Sequence, residues 1–366
     1  MNSEIYMDMK RRKCREKVRF STLTQQSIYH AGASCSLPVL GFTTILTLLP
    51  AMIYGCTAPE TTAGSVQTET AVRLMETCNT PLADAESIDI LVFNDDRMQK
   101  LDTYQRFDMS ACSSVKVGST AGDKTIAVIV NSRVDRYYWA GVTSRNDMKN
   151  ICFNLEDETR DNPSMSGEYR IRAGSPVNLK VERLYSEIEL RSLSCDFKGK
   201  GYEGEQLRNV KVYLTNVNAE APAFNEEDYI PRRIINNGRF NPEDLESFKE
   251  PETMMQELPY DIGSDVKKPY VILRCYPNEA IEESPGTPFT RLVIEGEVGG
   301  ITYYWPLEIN RDDGGNGIAR NCRYVFDIRI GRLGNTDPDI PVKAEDADIT
   351  MNIQPWEEKD GYGVRF

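Results

Sequence analysis

The chain has 366 residues, 40% of them hydrophobic, and a net charge of −13. That is enough for two ordinary domains with real cores, and the negative charge disfavours nucleic acid as a partner. The only histidine, His30, lies near the N-terminus, so the remainder of the chain has no Ser-His-Asp or Cys-His mechanism and no histidine-ligated metal site.

The chain begins with a basic flank, Lys10 to Arg19, then an uncharged apolar run, Leu37 to Tyr54, interrupted by Pro38 and Pro50. Ile53-Tyr54-Gly55-Cys56 follows. A basic start, an apolar run and a small residue before cysteine read as a lipoprotein export signal over residues 1–55. Lipid on Cys56 then replaces a spanning helix as the membrane anchor, and the protein sits at the outer membrane. The competing reading is a plain transmembrane helix, since the run just reaches spanning length. The long segment ahead of the apolar run points to a start codon downstream of Met1. Residues 56–69 are polar and form a tether.

Beyond the tether the pattern is one of strands. Thr70 to Thr77 is a short strand with Val72 on one face, and Cys78 to Glu86 is a loop. Ser87 to Asn94 places Ile88, Ile90 and Val92 on one face and Leu91 and Phe93 on the other. Lys124 to Asn131 has a buried core, Ile126 to Val130. Tyr137-Tyr138-Trp139 opens a region of low regularity with polar loops at 155–168. Val177 to Ser194 contains two alternating stretches, hence two strands, and a Gly-rich link, Lys198 to Glu205, follows.

Leu207 to Val217 opens the second half with Val210, Val212 and Leu214 on one face. Ala219 to Gly263 is an insertion with a short helix near Pro242 to Phe248. Strands resume at Tyr270 to Tyr276, Arg291 to Glu297 and Gly300 to Ile309. Two closing strands come last: Tyr324, Phe326, Ile328 and Ile330 alternate in the first, and Ile349, Met351 and Ile353 in the second. Turn residues at Gly334-Asn335 and Asp337-Pro338-Asp339 separate them. Many short strands and no sustained helical period give two all-β sandwiches, over 70–204 and 205–366.

Several constellations carry a chemical reading and a plainer one. Gly199-Lys200-Gly201-Tyr202-Glu203-Gly204 matches GxGxxG, but a strand pattern follows where a dinucleotide site needs a helix; an interdomain turn is expected. Asn310 to Gly317 clusters oxygen ligands without the calcium-loop spacing and reads as a wide hairpin tip. Glu156-Asp157-Glu158 and Glu226-Glu227-Asp228 read as solvated acidic loops. Cys78, Cys112, Cys152, Cys195, Cys275 and Cys322 have no CxxC spacing, so zinc is not expected; export permits disulfides, and free buried thiols suffice. Trp305 and Trp356 read as core anchors over sugar-stacking platforms. No cofactor and no enzyme activity are expected.

The closing region carries a resemblance. Trp305-Pro306, Arg320-Asn321, Tyr324, Asp337-Pro338-Asp339, Pro341-Val342 and Pro355-Trp356 stand in an order that resembles the fimbrillins, pilins of the type V pili of Bacteroidales. Weaker similarity runs back to about Thr70. The resemblance implies two tandem transthyretin-like β-sandwich domains, the first ending near Val181 to Leu190. It implies a pilus subunit joined to other pilins by strand exchange: an arginine-specific protease removes a first strand, and a neighbour's C-terminal strand fills the groove. The chain departs from this pattern, because the loop Glu76 to Glu86 has no Arg or Lys. Either Arg73 is the cleavage site, or the first strand stays and the protein is an anchor or accessory subunit. The C-terminal segment Gly361 to Phe366, with Tyr362, Val364 and Phe366 alternating, is the candidate donor strand. A surface glycan-binding lipoprotein is the alternative, and it requires aromatic side chains on an exposed face.

Overall fold

The computed structural model describes residues 67–76, 82, 85–108, 114–226, 229–311, 315–342 and 347–355. The described residues fall in one compact unit. The strands of the first half are β1 (Gln67–Glu76), β2 (Ser87–Asn94), β3 (Leu101–Asp108), β4 (Ser114–Thr120), β5 (Asp123–Val130), β6 (Cys152–Asn154), β7 (Met165–Arg172), β8 (Val177–Arg183) and β9 (Ser186–Cys195). Those of the second half are β10 (Arg208–Thr215), β11 (Val217–Asn218), β12 (Glu220–Pro222), β13 (Ile234–Ile235), β14 (Met255–Glu257), β15 (Val271–Cys275), β16 (Arg291–Val298), β17 (Ile301–Glu308), β18 (Cys322–Ile330) and β19 (Ala347–Pro355). Helical structure among the described residues is limited to short 3-10 turns. The expected all-β, two-sandwich architecture is what the chain adopts.

The first sandwich is one seven-stranded sheet, ordered β3-β2-β5-β7-β8-β1-β4, turned over on itself. The corner is the β7–β8 step, where only Met165–Arg183 and Ser166–Glu182 pair. Gly167 sits beside this corner because a Cβ there would collide with the Lys180 carbonyl oxygen. Ile88, Ile90 and Val92 of β2 and Ile126, Val128 and Val130 of β5 then face Val72, Leu74, Val117 and Leu179 across a shared core. Period two puts the alternate residues of β2 and β5 on the opposite face. There Leu91, Phe93, Ala127 and Ile129 join Trp139, Met148 and Phe153 in a second core.

That second core continues into the second sandwich, whose sheets run β14-β10-β16-β17 and β15-β9-β18-β19. Val210, Val212 and Leu214 of β10 meet Tyr324, Phe326, Ile328 and Ile330 of β18 inside it. The change of partnership is abrupt. β8 pairs within the first sandwich, whereas β9, three residues on, pairs antiparallel with β15 and parallel with β18. A two-stranded ribbon, β6–β12, ties the halves together a second time.

Several expectations are corrected. Residues 155–168 are not simply polar loops, since Leu155–Asp157 is a 3-10 turn and β7 begins at Met165. The segment Asn310 to Gly317 is not a hairpin tip: it connects β17 to β18, which lie in different sheets. Asn310 (φ 52°) and Gly317 (φ 80°) bend it, and Gly317 N donates to Asn310 O at 2.9 Å. Strands β3 and β4 had no counterpart in the sequence pattern. The short helix near Pro242 is a 3-10 turn, Pro242–Leu245, capped by the Asn241 side chain, which accepts from Glu243 N.

Candidate strand-exchange site

Strand β1 is the element on which a strand-exchange reading turns. It lies between β4, antiparallel from Gln67–Thr120 to Arg73–Ser114, and β8, parallel from Val72–Val177 to Glu76–Val181. Its alternation sends Thr70, Val72, Leu74 and Glu76 inward, each 8% exposed or less. Ala71 and Arg73 point outward. Val72 and Leu74 supply the apolar floor contacts, and the polar ends of the row are partnered. Gly174 N donates to Thr70 Oγ1 at 2.8 Å, and the Glu76 carboxylate lies 3.6 Å from the Arg183 guanidinium. Without β1, the edges of β4 and β8 would lose their ladder partners and the core row would open to water. A replacement strand must therefore offer small or apolar side chains at alternate positions.

Arg73 is exposed at its side chain, but its backbone sits inside both ladders, opposite Ser114 and Asn178. A protease needs the scissile backbone free and extended, which requires β1 to leave the sheet first. Cys56 and the tail residues Tyr362, Val364 and Phe366 lie outside the described residues, as do Trp356, Cys78 and Cys112. The last described strand, β19, pairs only with β18. Its Ile349 and Ile353 are 36% and 46% exposed, so its apolar row is only partly covered.

The remaining constellations resolve individually. The GxGxxG segment is a run of turns between β9 and β10, with no helix after it. Trp305 is fully buried and donates from Nε1 to Arg332 O at 3.1 Å. Cys195 and Cys275 are buried free thiols, and Cys152 and Cys322 are half-buried and also free. Burial pushes the Cys195 thiol up to about 12, so it is inert as a nucleophile.

The acidic triplet at 156–158 is not a solvated loop throughout. Glu156 pairs with Arg233 and Ser247, and Asp157 with Lys249. Glu158 is buried, accepting from Ser164 N and from the Tyr276 hydroxyl, each at 2.9 Å. Burial raises its carboxyl above its ordinary value. Glu226 lies 3.7 Å from Arg145 and 4.0 Å from Lys149.

Sequence reasoning also missed buried charge inside the strands. Lys124 of β5 is 1% exposed and held by Asp102 at 3.0 Å and by Asn94 and Thr120. Asp89 of β2 is fully buried, accepting from Tyr104 and Ser132 at 2.7 Å each. The signal was available for Asp89, a charged residue inside an otherwise apolar strand, a position that demands partners; Lys124 lies between Asp123 and Thr125 at the polar start of β5 and gave none.

No protein-family model and no curated protein sequence matches the chain. Solved structures do share its fold. A Bacteroides eggerthii protein thought to act in cell adhesion superposes with a TM-score of 0.61 at 17% identity, covering 79% of this chain and 96% of its own. A fimbrilin from Porphyromonas gingivalis W83 gives 0.55 at 14% identity, covering 79% and 97%. The C-terminally truncated tip fimbrial protein of Porphyromonas gingivalis gives 0.50 at 14% identity, covering 79% and 100%. At these identities the likeness is one of fold: the chain is built as these bacterial surface proteins are built.

Proposed function

We propose that the protein is a structural subunit of a type V pilus, exported as a lipoprotein acylated on Cys56 and joined to other pilin subunits by strand exchange. Within that role it is an anchor or accessory subunit that keeps its first strand. One observation carries this reading. β1 is bonded on both sides, and the arginine it contains lies within those ladders. The loop after it, Glu76 to Glu86, offers an arginine-specific protease nothing to cut. A retained β1 leaves the tether and the lipid in place, so the subunit stays at the outer membrane. Growth would then proceed through the other end, with Tyr362, Val364 and Phe366 entering a neighbour's open slot. Burying three such side chains at about 1.5–3 kcal/mol each, with main-chain pairing, makes a stable joint.

Mass spectrometry of the native surface protein tests this. A chain that starts at an acylated Cys56 is the expected result. A chain that starts at Leu74 would make the protein a processed shaft subunit and overturn the anchor assignment.

A further inference from the structure

The first core ends on a rung unlike the others. β2 and β5 pair antiparallel, and their inner rows meet as Ile88–Val130, Ile90–Val128, Val92–Ile126 and Asn94–Lys124. The first three rungs are apolar and lie in the first core. Alternation aims the Asn94 and Lys124 side chains the same way, at the end of that row.

The neighbouring strand supplies a third group. In the β2–β3 ladder Val92 faces Thr103 and Phe93 faces Leu101, so Asp102 is the extra residue of a bulge. A bulge re-aims a side chain, and here the Asp102 carboxylate comes within 3.0 Å of Lys124 Nζ. Lys124 Nζ also donates to Asn94 Oδ1 at 2.5 Å and to Thr120 Oγ1 at 2.6 Å. Thr120 in turn donates to Asp102 from N at 2.8 Å and from Oγ1 at 3.0 Å.

An amine, a carboxamide and a carboxylate thus meet around a lysine side chain that is 2% exposed. An ion pair needs only Asp102; the amide adds an acyl donor beside the amine. The Asn94 carbonyl carbon lies within about 3.7 Å of Nζ, since a C=O bond is about 1.23 Å long. Reacting atoms need about 3–3.5 Å, a small adjustment away. We propose that Lys124 and Asn94 join in an intramolecular amide bond, with Asp102 moving the protons.

Asp102 first takes a proton from the Lys124 ammonium. The freed lone pair attacks Asn94 Cγ, and the C=O electron pair moves to Oδ1. Asp102 hands its proton to Nδ2, the carbonyl re-forms and the Cγ–Nδ2 bond breaks. Ammonia leaves and takes the surplus proton from Nζ. One ammonium and one amide become an amide link and an ammonium ion, with no oxidant or cofactor. Burial pushes the Asp102 carboxyl up, but hydrogen bonds from Thr120 and Lys124 outweigh it and hold the group below its ordinary value. It therefore starts as the carboxylate that the first step requires. The same low value makes the first transfer uphill and the reaction slow, yet each molecule needs it only once. The link closes residues 95–123 into a loop that contains β4, one of the two strands holding β1. It forms whether or not the chain enters a pilus.

Mass spectrometry of the full chain tests this, both on native protein and on fresh protein sampled until its mass is constant. The folded chain should become lighter by the mass of one ammonia. Trypsin should then release the peptides Leu74 to Arg97 and Val117 to Arg133 as one linked species, uncut after Lys124. Asn94→Ala keeps the Lys124–Asp102 pair and should fold, retain its full mass and be cut after Lys124. Asp102→Asn should slow the link about a hundredfold or more. The proposal is overturned if the folded parent keeps its full mass and yields the two peptides separately. It is equally overturned if the ammonia loss persists in Asn94→Ala, or if Asp102→Asn links as fast as the parent.

Discussion

Leu74→Ala measures how firmly β1 is held. Leu74 is fully buried, pairs with Leu179 across the parallel ladder and lies in the first core. The substitution removes three carbon groups at about 0.8 kcal/mol each, and the cavity adds to this, for a total of about 3 kcal/mol. Because the leucine belongs to β1 itself, the whole cost falls on any opening that frees β1. Every 1.4 kcal/mol is about tenfold, so the open population should rise about a hundredfold. Native digestion with an arginine-specific protease reads this directly as cleavage between residues 73 and 74. The parent should resist, the variant should be cut about a hundred times faster, and both should be cut equally in urea. The melting temperature should fall by about 6 °C or more. If the folded parent is cut after Arg73 as fast as the unfolded chain, β1 is not held as described, and the retained-strand argument fails.

Cys56→Ser should abolish fatty-acid labelling and leave the precursor in the inner membrane; continued labelling would refute acylation at this thiol. Deleting Gly361 to Phe366 should leave the subunit folded and secreted but unable to enter pili, as read by the yield of assembled fibres against the monomer. Glu158 should make stability depend on pH. Its folded-state carboxyl is raised above the ordinary 4.5, so its protonated form stabilises the fold below that value, and the contribution is lost as pH rises through the raised folded value. Glutamine in its place can accept from Ser164 N and donate to Tyr276, so Glu158→Gln should gain melting temperature over the parent at pH 7 and lose that advantage near pH 4.5. Parallel pH profiles would remove Glu158 as the cause.

Where burial is decided locally, the sequence was readable. Ile88, Ile90 and Val92 separate from Leu91 and Phe93 because period two sends them into two different cores, and both sets are apolar. Strand β3, LDTYQRFD, has no apolar row to read. It is partly exposed over most of its length and is tied in by polar links, Asp102 to Thr120 and Tyr104 to Asp89. Pairing is the other blind spot. β9 follows β8 within three residues, yet its partners lie at Val271–Cys275 and Cys322–Ile330. Nothing in its own alternation names them. Glu158 reads as solvated because its neighbours Glu156 and Asp157 are acidic, while its burial is imposed by Tyr276, far along the chain. The slot around β1 was half legible, since Val72 marked the inward face while its two flanking strands did not show.

The second face of β2 and β5 has a mechanical consequence. Leu91, Phe93, Ala127 and Ile129 share one continuous core with Trp139 and with the inner faces of β10 and β18. Hinging one half against the other would pull apolar surface apart and expose it to water, against a restoring free energy of about 25 cal/mol for each Å² opened. The β6–β12 ribbon adds main-chain bonds across the same joint. Such a subunit behaves as a stiff link. In the pilus role proposed above, a fibre assembled from links like this one would take up bending stress at the junctions between subunits and little of it inside each sandwich pair.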